Sequence, residues 1–122
     1  MLEGVLTDTL ETVDFTNAEL GDAIALQVCE LVKGSGRSRN LKLIRNKITD
    51  DGFAKMIPLF SGLTSINLSQ NLLTENCLNV LSDHRPSLPN LKTVILSQNK
   101  IAERKCKGVV EKLRKMDLAI SI

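Results

Sequence analysis

Leu63-Thr-Ser-Ile-Asn-Leu-Ser-Gln-Asn-Leu-Leu73 is nearly duplicated downstream as Leu91-Lys-Thr-Val-Ile-Leu-Ser-Gln-Asn-Lys-Ile101. Both read L-x-x-Φ-x-L-x-x-N-x-Φ, where Φ is apolar. Slots 4 and 6 are apolar and alternate with mostly polar slots 3, 5 and 7, the pattern of a strand buried on one face. A third copy runs from Ser38 to Ile48, with Leu41, Leu43, Asn46 and Ile48 in the same slots. A fourth, weaker copy runs from Leu10 to Leu20, with Val13 and Phe15 inward; Ala18 takes its ninth slot and Asn17 stands one position early. The copies begin at 10, 38, 63 and 91, in steps of 28, 25 and 28 residues.

The second half of each copy has helical spacing. Ala25, Val28, Cys29 and Val32 fall at i, i+3, i+4 and i+7, and Phe53, Met56, Ile57 and Phe60 repeat the stripe. So do Cys106, Val109, Val110 and Leu113. The third copy keeps Leu78 and Leu81 but then has Ser82 and Arg85, so its helix is expected to end early. Pro86 and Pro89 then carry a loop, as Gly34-Ser-Gly36 does after the first helix. Asp50 and Glu75 sit near helix starts, where unpaired N–H groups favour a carboxylate. Asn46, Asn71 and Asn99 are expected to form a stacked ladder that satisfies backbone groups where the chain leaves each strand.

This periodic pattern resembles the leucine-rich repeat, and the repeat lengths and helical second halves resemble its ribonuclease-inhibitor-like subfamily. The resemblance covers about residues 10 to 113. It implies an α/β fold: a short solenoid of four repeats, with a parallel concave sheet and convex helices. A single domain over 1–122 is expected, with repeats at about 10–37, 38–62, 63–90 and 91–115 and a partial terminal strand at 116–122. Within that last stretch Leu118 to Ile122 alternates. The final edge is expected to be poorly covered, or the chain to be one stretch of a longer array.

A length of 122 residues fits one domain. Aromatics make up only 2% of the chain, with no Trp or Tyr, which argues against base-stacking platforms and aromatic cages. One His leaves little for His-based catalysis. His84 beside Asp83 reads as a solvated loop residue, with no nucleophile placed by motif. Three Cys at 29, 77 and 106 cannot all pair and fit no zinc spacing, which favours an intracellular, cytoplasmic setting with the nucleus left open. Cys29 and Cys106 occupy core slots, whereas Cys77 stands one position before the stripe and is expected to be partly exposed. No phosphate loop, membrane span or secretory signal is read, and no catalytic residue, metal or cofactor is expected.

The outward columns of the sheet carry the functional expectation. Slot 5 reads Asp14, Lys42, Asn67, Ile95; slot 7 reads Thr16, Ile44, Ser69, Ser97; slot 8 reads Asn17, Arg45, Gln70, Gln98. Ile44 and Ile95 are apolar where Ser or Thr would serve a solvated strand. Solenoids commonly bind on such a face. Lys42, Ile44, Arg45, Asn67, Ser69, Gln70, Ile95, Ser97 and Gln98 are therefore the candidate partner-binding residues. The expected function is non-enzymatic protein binding. No small-molecule substrate is expected.

Charge is segregated: residues 1–30 hold seven acids and no Lys or Arg, while residues 31–122 carry +9, giving the net +2. Lys100, Arg104, Lys105, Lys107, Lys112, Arg114 and Lys115 form a basic terminal helix. This permits head-to-tail self-association of the two ends, or an acidic partner or nucleic acid on the basic helix, the last a less favoured reading. A GTPase-activating role is a further possibility, implied by the family resemblance alone. Ile24, Leu26 and Leu31 stand off the core stripe and suggest either a cap made with residues 1–6 or a contact surface.

Overall fold

The structure is a computed structural model describing residues 11–122. Leu10 and the suggested cap from residues 1–6 lie outside the described residues. Five short strands alternate with helices: β1 Thr12–Asp14, α1 Asp22–Ser35, β2 Asn40–Lys42, α2 Asp50–Met56, β3 Ser65–Asn67, α3 Asn76–His84, β4 Thr93–Ile95, α4 Glu103–Lys115 and β5 Ala119–Ser121. Single 3-10 turns, Ile57–Phe60 and Arg85–Ser87, extend α2 and α3. The strands form one parallel sheet in sequence order. Its register aligns Val13, Leu41, Ile66, Val94 and Ile120, so the fourth slots stack as one buried row.

Each strand and its helix bury apolar faces against one another and the adjacent units. Leu43, Leu68 and Leu96 form a second buried row beneath the sheet. The helix stripes of the first two copies are wholly buried, and Phe53 meets Phe60 edge-to-face at 6.1 Å. Strands stack about 4.8 Å apart whereas packed helices need about 8–10 Å, so the stack curves around its sheet.

Helix ends follow local chemistry, with corrections to the sequence reading. α1 runs through Gly34 and Ser35, and Gly36 ends it at φ 67°. Pro58 lacks the N–H that an α-helix would donate to Ala54, and α2 gives way to a 3-10 turn at Ile57. The third helix ends early, as expected, before the slot that Arg85 fills. Its last residue is His84, yet both Ser82 and Arg85 are buried in the apolar slots.

Arg85 tolerates burial because its guanidinium is well matched. Nη1 donates to the carbonyls of Leu88 and Leu91, both at 2.7 Å, and Nη2 to Met116 at 2.9 Å. It thereby pins the loop before β4 to the end of α4. Cys77 is also fully buried rather than partly exposed. Val109 and Phe15 are only partly buried against the core. The alternating tail forms β5, whose outer side is partly covered: Arg114 Nη2 donates to the Ile120 carbonyl at 3.1 Å.

Candidate functional site

The sheet's open face is built on the asparagine ladder. Asn71 is buried; its Nδ2 donates to Leu43, Leu68 and Ser69 carbonyls at 2.9, 3.0 and 3.1 Å, and its Oδ1 accepts from Ile48 N at 3.1 Å. Asn99 Oδ1 accepts from Asn71 N and Leu73 N, and Asn46 Oδ1 from Ala18 N and Leu20 N. Each side chain therefore ties its own turn to the preceding one.

These ties hold slot 8 in a left-handed backbone conformation. Asn17, Arg45, Gln70 and Gln98 have φ of 55, 55, 58 and 59°. Such φ values are uncommon outside Gly and Asn. The turn repeats at every copy, so a side chain leaves the sheet at fixed spacing. Arg45 Nε donates to Gln70 Oε1 at 3.0 Å, linking two neighbours in the column.

A second, carboxylate ladder runs along the start of the helices. Asp22 Oδ1 accepts from Thr49 N at 2.8 Å and its Oδ2 from the Thr49 hydroxyl at 2.5 Å. Asp50 does the same for Thr74 N, at 2.9 Å, and its hydroxyl, and Glu75 Oε1 accepts from Ala102 N at 3.2 Å. Asp50 and Glu75 sit at helix starts as expected, but these contacts go to the next repeat. Glu75 also accepts from its own N–H; these backbone bonds, with Lys105 nearby, hold its carboxyl below the ordinary range. Gly52 belongs to this arrangement, because a Cβ there would lie 2.1 Å from Asp22 Oδ1. The signal was present in the sequence: acids recur at one slot as Asp22, Asp50, Glu75 and Glu103, preceded by Thr49 and Thr74.

The candidate partner-binding residues divide into two groups. Ser69 is buried; its hydroxyl and N–H both donate to Asn67 Oδ1, at 2.6 and 3.0 Å. Thr16 makes the same pair with Asp14, and the hydroxyl bond holds the Asp14 carboxyl below its usual range. In these two copies slots 5 and 7 serve each other. Lys42 is exposed, Ile44 and Ile95 are half-buried, Ser97 is half-buried and Gln98 exposed. Lys42 and Ile44 share one copy with Arg45, and Ile95, Ser97 and Gln98 share another.

Other sequence candidates lie apart from this face. His84 ends α3, half-buried, with Nδ1 3.0 Å from the Val80 carbonyl oxygen. The three cysteines are free and buried, and desolvation pushes the Cys29 and Cys77 thiols up to about 12. The basic residues of α4 are exposed. Ile24 and Leu31 are 49% and 42% exposed on α1, whereas Leu26 packs partly on the core. Among the described residues no cluster of three or more His, Cys, Asp or Glu suits a metal ion, and no helix is long and apolar enough to cross a membrane.

A solved structure described as actin-binding site 2 of leiomodin-1 matches 98% of this chain and 75% of its own, with a TM-score of 0.82 at 14% identity. The chain has a leucine-rich-repeat-like solenoid fold. An internalin of Listeria monocytogenes matches 75% of this chain and 36% of its own at 20% identity, but its TM-score of 0.37 is too low to add to the argument. No protein-family model matches, and no curated protein matches.

Proposed function

We propose that the chain is a non-enzymatic protein-binding module of ribonuclease-inhibitor-like repeats that grips its partner on the concave sheet. The observation that carries this reading is the pair of apolar outward residues, Ile44 and Ile95, flanking a copy whose Asn67 and Ser69 satisfy each other. Lys42 and Arg45 add charge beside Ile44. A ladder-braced face loses little freedom on binding, which favours affinity. An intracellular setting suits three buried, unpaired thiols. The likeness to an actin-binding site makes actin the first partner to try.

The test is binding of purified actin, then capture from source-cell extract, by wild type and a folded Ile44→Arg/Ile95→Arg double variant. A partner lost only from the variant supports the concave site. A partner held equally by both overturns it and moves binding to the helices or the charged ends.

A further inference from the structure

The slot that opens a repeat is filled by a buried leucine in the third and fourth copies, Leu63 and Leu91, 2% and 0% exposed. In the second copy it is Ser38, only 4% exposed, and its Oγ has no hydrogen-bond partner, the one such buried side-chain atom among the described residues. Serine is too small to fill a leucine's place. A notch of about 190 Å³ lies there, with Val32, Leu59 and Leu63 among its apolar walls and Lys33 and Arg39 on its rim. Drug-sized ligands occupy roughly 300–1,000 Å³, so this space suits a single aliphatic side chain.

The notch continues into a shallower groove of about 500 Å³ that shares Gly36, Arg39 and Gly62 and passes Thr64 to reach Lys92. Every charged residue lining the two is a cation: Lys33, Arg39 and Lys92. Part of that charge answers the carbonyl end of α1. That end is already capped, since Ser35 Oγ donates to the Val32 carbonyl at 2.9 Å and Gly36 N to that of Lys33 at 3.3 Å. Arg39 Nη1 donates to the Gly36 and Ser38 carbonyls, both at 3.3 Å, which fixes the guanidinium at the rim.

We propose that this groove binds an acidic peptide segment that inserts one aliphatic side chain beside Ser38. The side chain fills the notch between Val32, Leu59 and Leu63. Flanking carboxylates meet Lys33, Arg39 and Lys92. The groove uses no residue of the concave columns, so it stands independently of the binding face proposed above.

The probe is a fluorescent heptapeptide of six glutamates around a central leucine, compared by polarisation with versions carrying alanine at the centre or lysine in place of glutamate. The leucine probe is expected to bind the full chain about tenfold more tightly than the alanine probe. Salt weakens both glutamate probes, and the lysine probe does not bind. Ser38→Leu fills the notch and removes the leucine preference in a protein that remains folded by circular dichroism. Arg39→Glu weakens both glutamate probes alike. Equal binding of leucine and alanine probes, or a leucine preference that survives Ser38→Leu, overturns the proposal. The Ile44→Arg/Ile95→Arg variant retains groove binding, which separates this site from the concave one.

Discussion

Asn71 uses both ends of its amide inside the core. Replacing it with alanine leaves the Ile48 N–H and the Leu43 carbonyl without a partner in a buried site, while the Leu68 and Ser69 carbonyls keep Asn99 Nδ2 and Arg45 N. Each such orphan costs about 1–3 kcal/mol before relaxation. Asn71→Ala is therefore expected to lower unfolding free energy by about 2–4 kcal/mol. Asn67 makes one local pair at the half-buried surface, and Asn67→Ala is expected to cost less than about 1 kcal/mol. Urea unfolding of the two variants checks the contrast; equal midpoints would mean the ladder does not bear the turns.

Between elements, the carboxylate ladder ties each helix start to the next repeat. Glu75 is its titratable probe. Its folded carboxyl ionises below the ordinary 4.5, held there by backbone N–H groups. A depressed carboxyl adds stability that is present above the unfolded value and is lost as pH falls through the folded one. The wild type should thus lose stability on acidification below about pH 4.5 more steeply than Glu75→Gln. Thermal melting from pH 6 down to 3 measures it, and parallel curves would count against the bonds from the Glu75 and Ala102 N–H groups.

The elements themselves were largely legible, because a stripe such as Phe53, Met56, Ile57 and Phe60 is local and periodic. Ser82 and Arg85 marked the early end of the third helix, but their burial was not legible, because a polar residue at a core slot looks exposed. The burial of Arg85 depends on carbonyls of Leu91 and Met116, which no nearby spacing announces. Ser69 is likewise held by a partner its slot does not announce: Asn67, two residues back, draws its hydroxyl in. The columns of the candidate site were readable from alternation; which members remain available to a partner was not.

At the scale of the molecule, every unit leans on its neighbours and one core runs from Val13 to Ile120. Nearest-neighbour stacking in a chain this short favours a single cooperative transition. Cys29, Cys77 and Cys106 sample α1, α3 and α4 and are all buried. Burial keeps the Cys29 and Cys77 thiols protonated at neutral pH, so neither is expected to react with maleimide in the native state. Pulse-labelling across a urea series should expose all three at one midpoint. An earlier midpoint for Cys29 would instead mark the acidic end as a separately melting unit.

The left-handed turns at Asn17, Arg45, Gln70 and Gln98 bear on how such a surface can vary. Glycine would relax each turn, since an L side chain there is disfavoured by about 1–2 kcal/mol. Three of the four nevertheless hold long polar side chains. The geometry of the turn is fixed by Asn46, Asn71 and Asn99, so the residue at its tip is free to change without moving the backbone. The fold thus separates what shapes the face from what decorates it, and the chemical character of the face can be rewritten at the tips while the scaffold stays as it is.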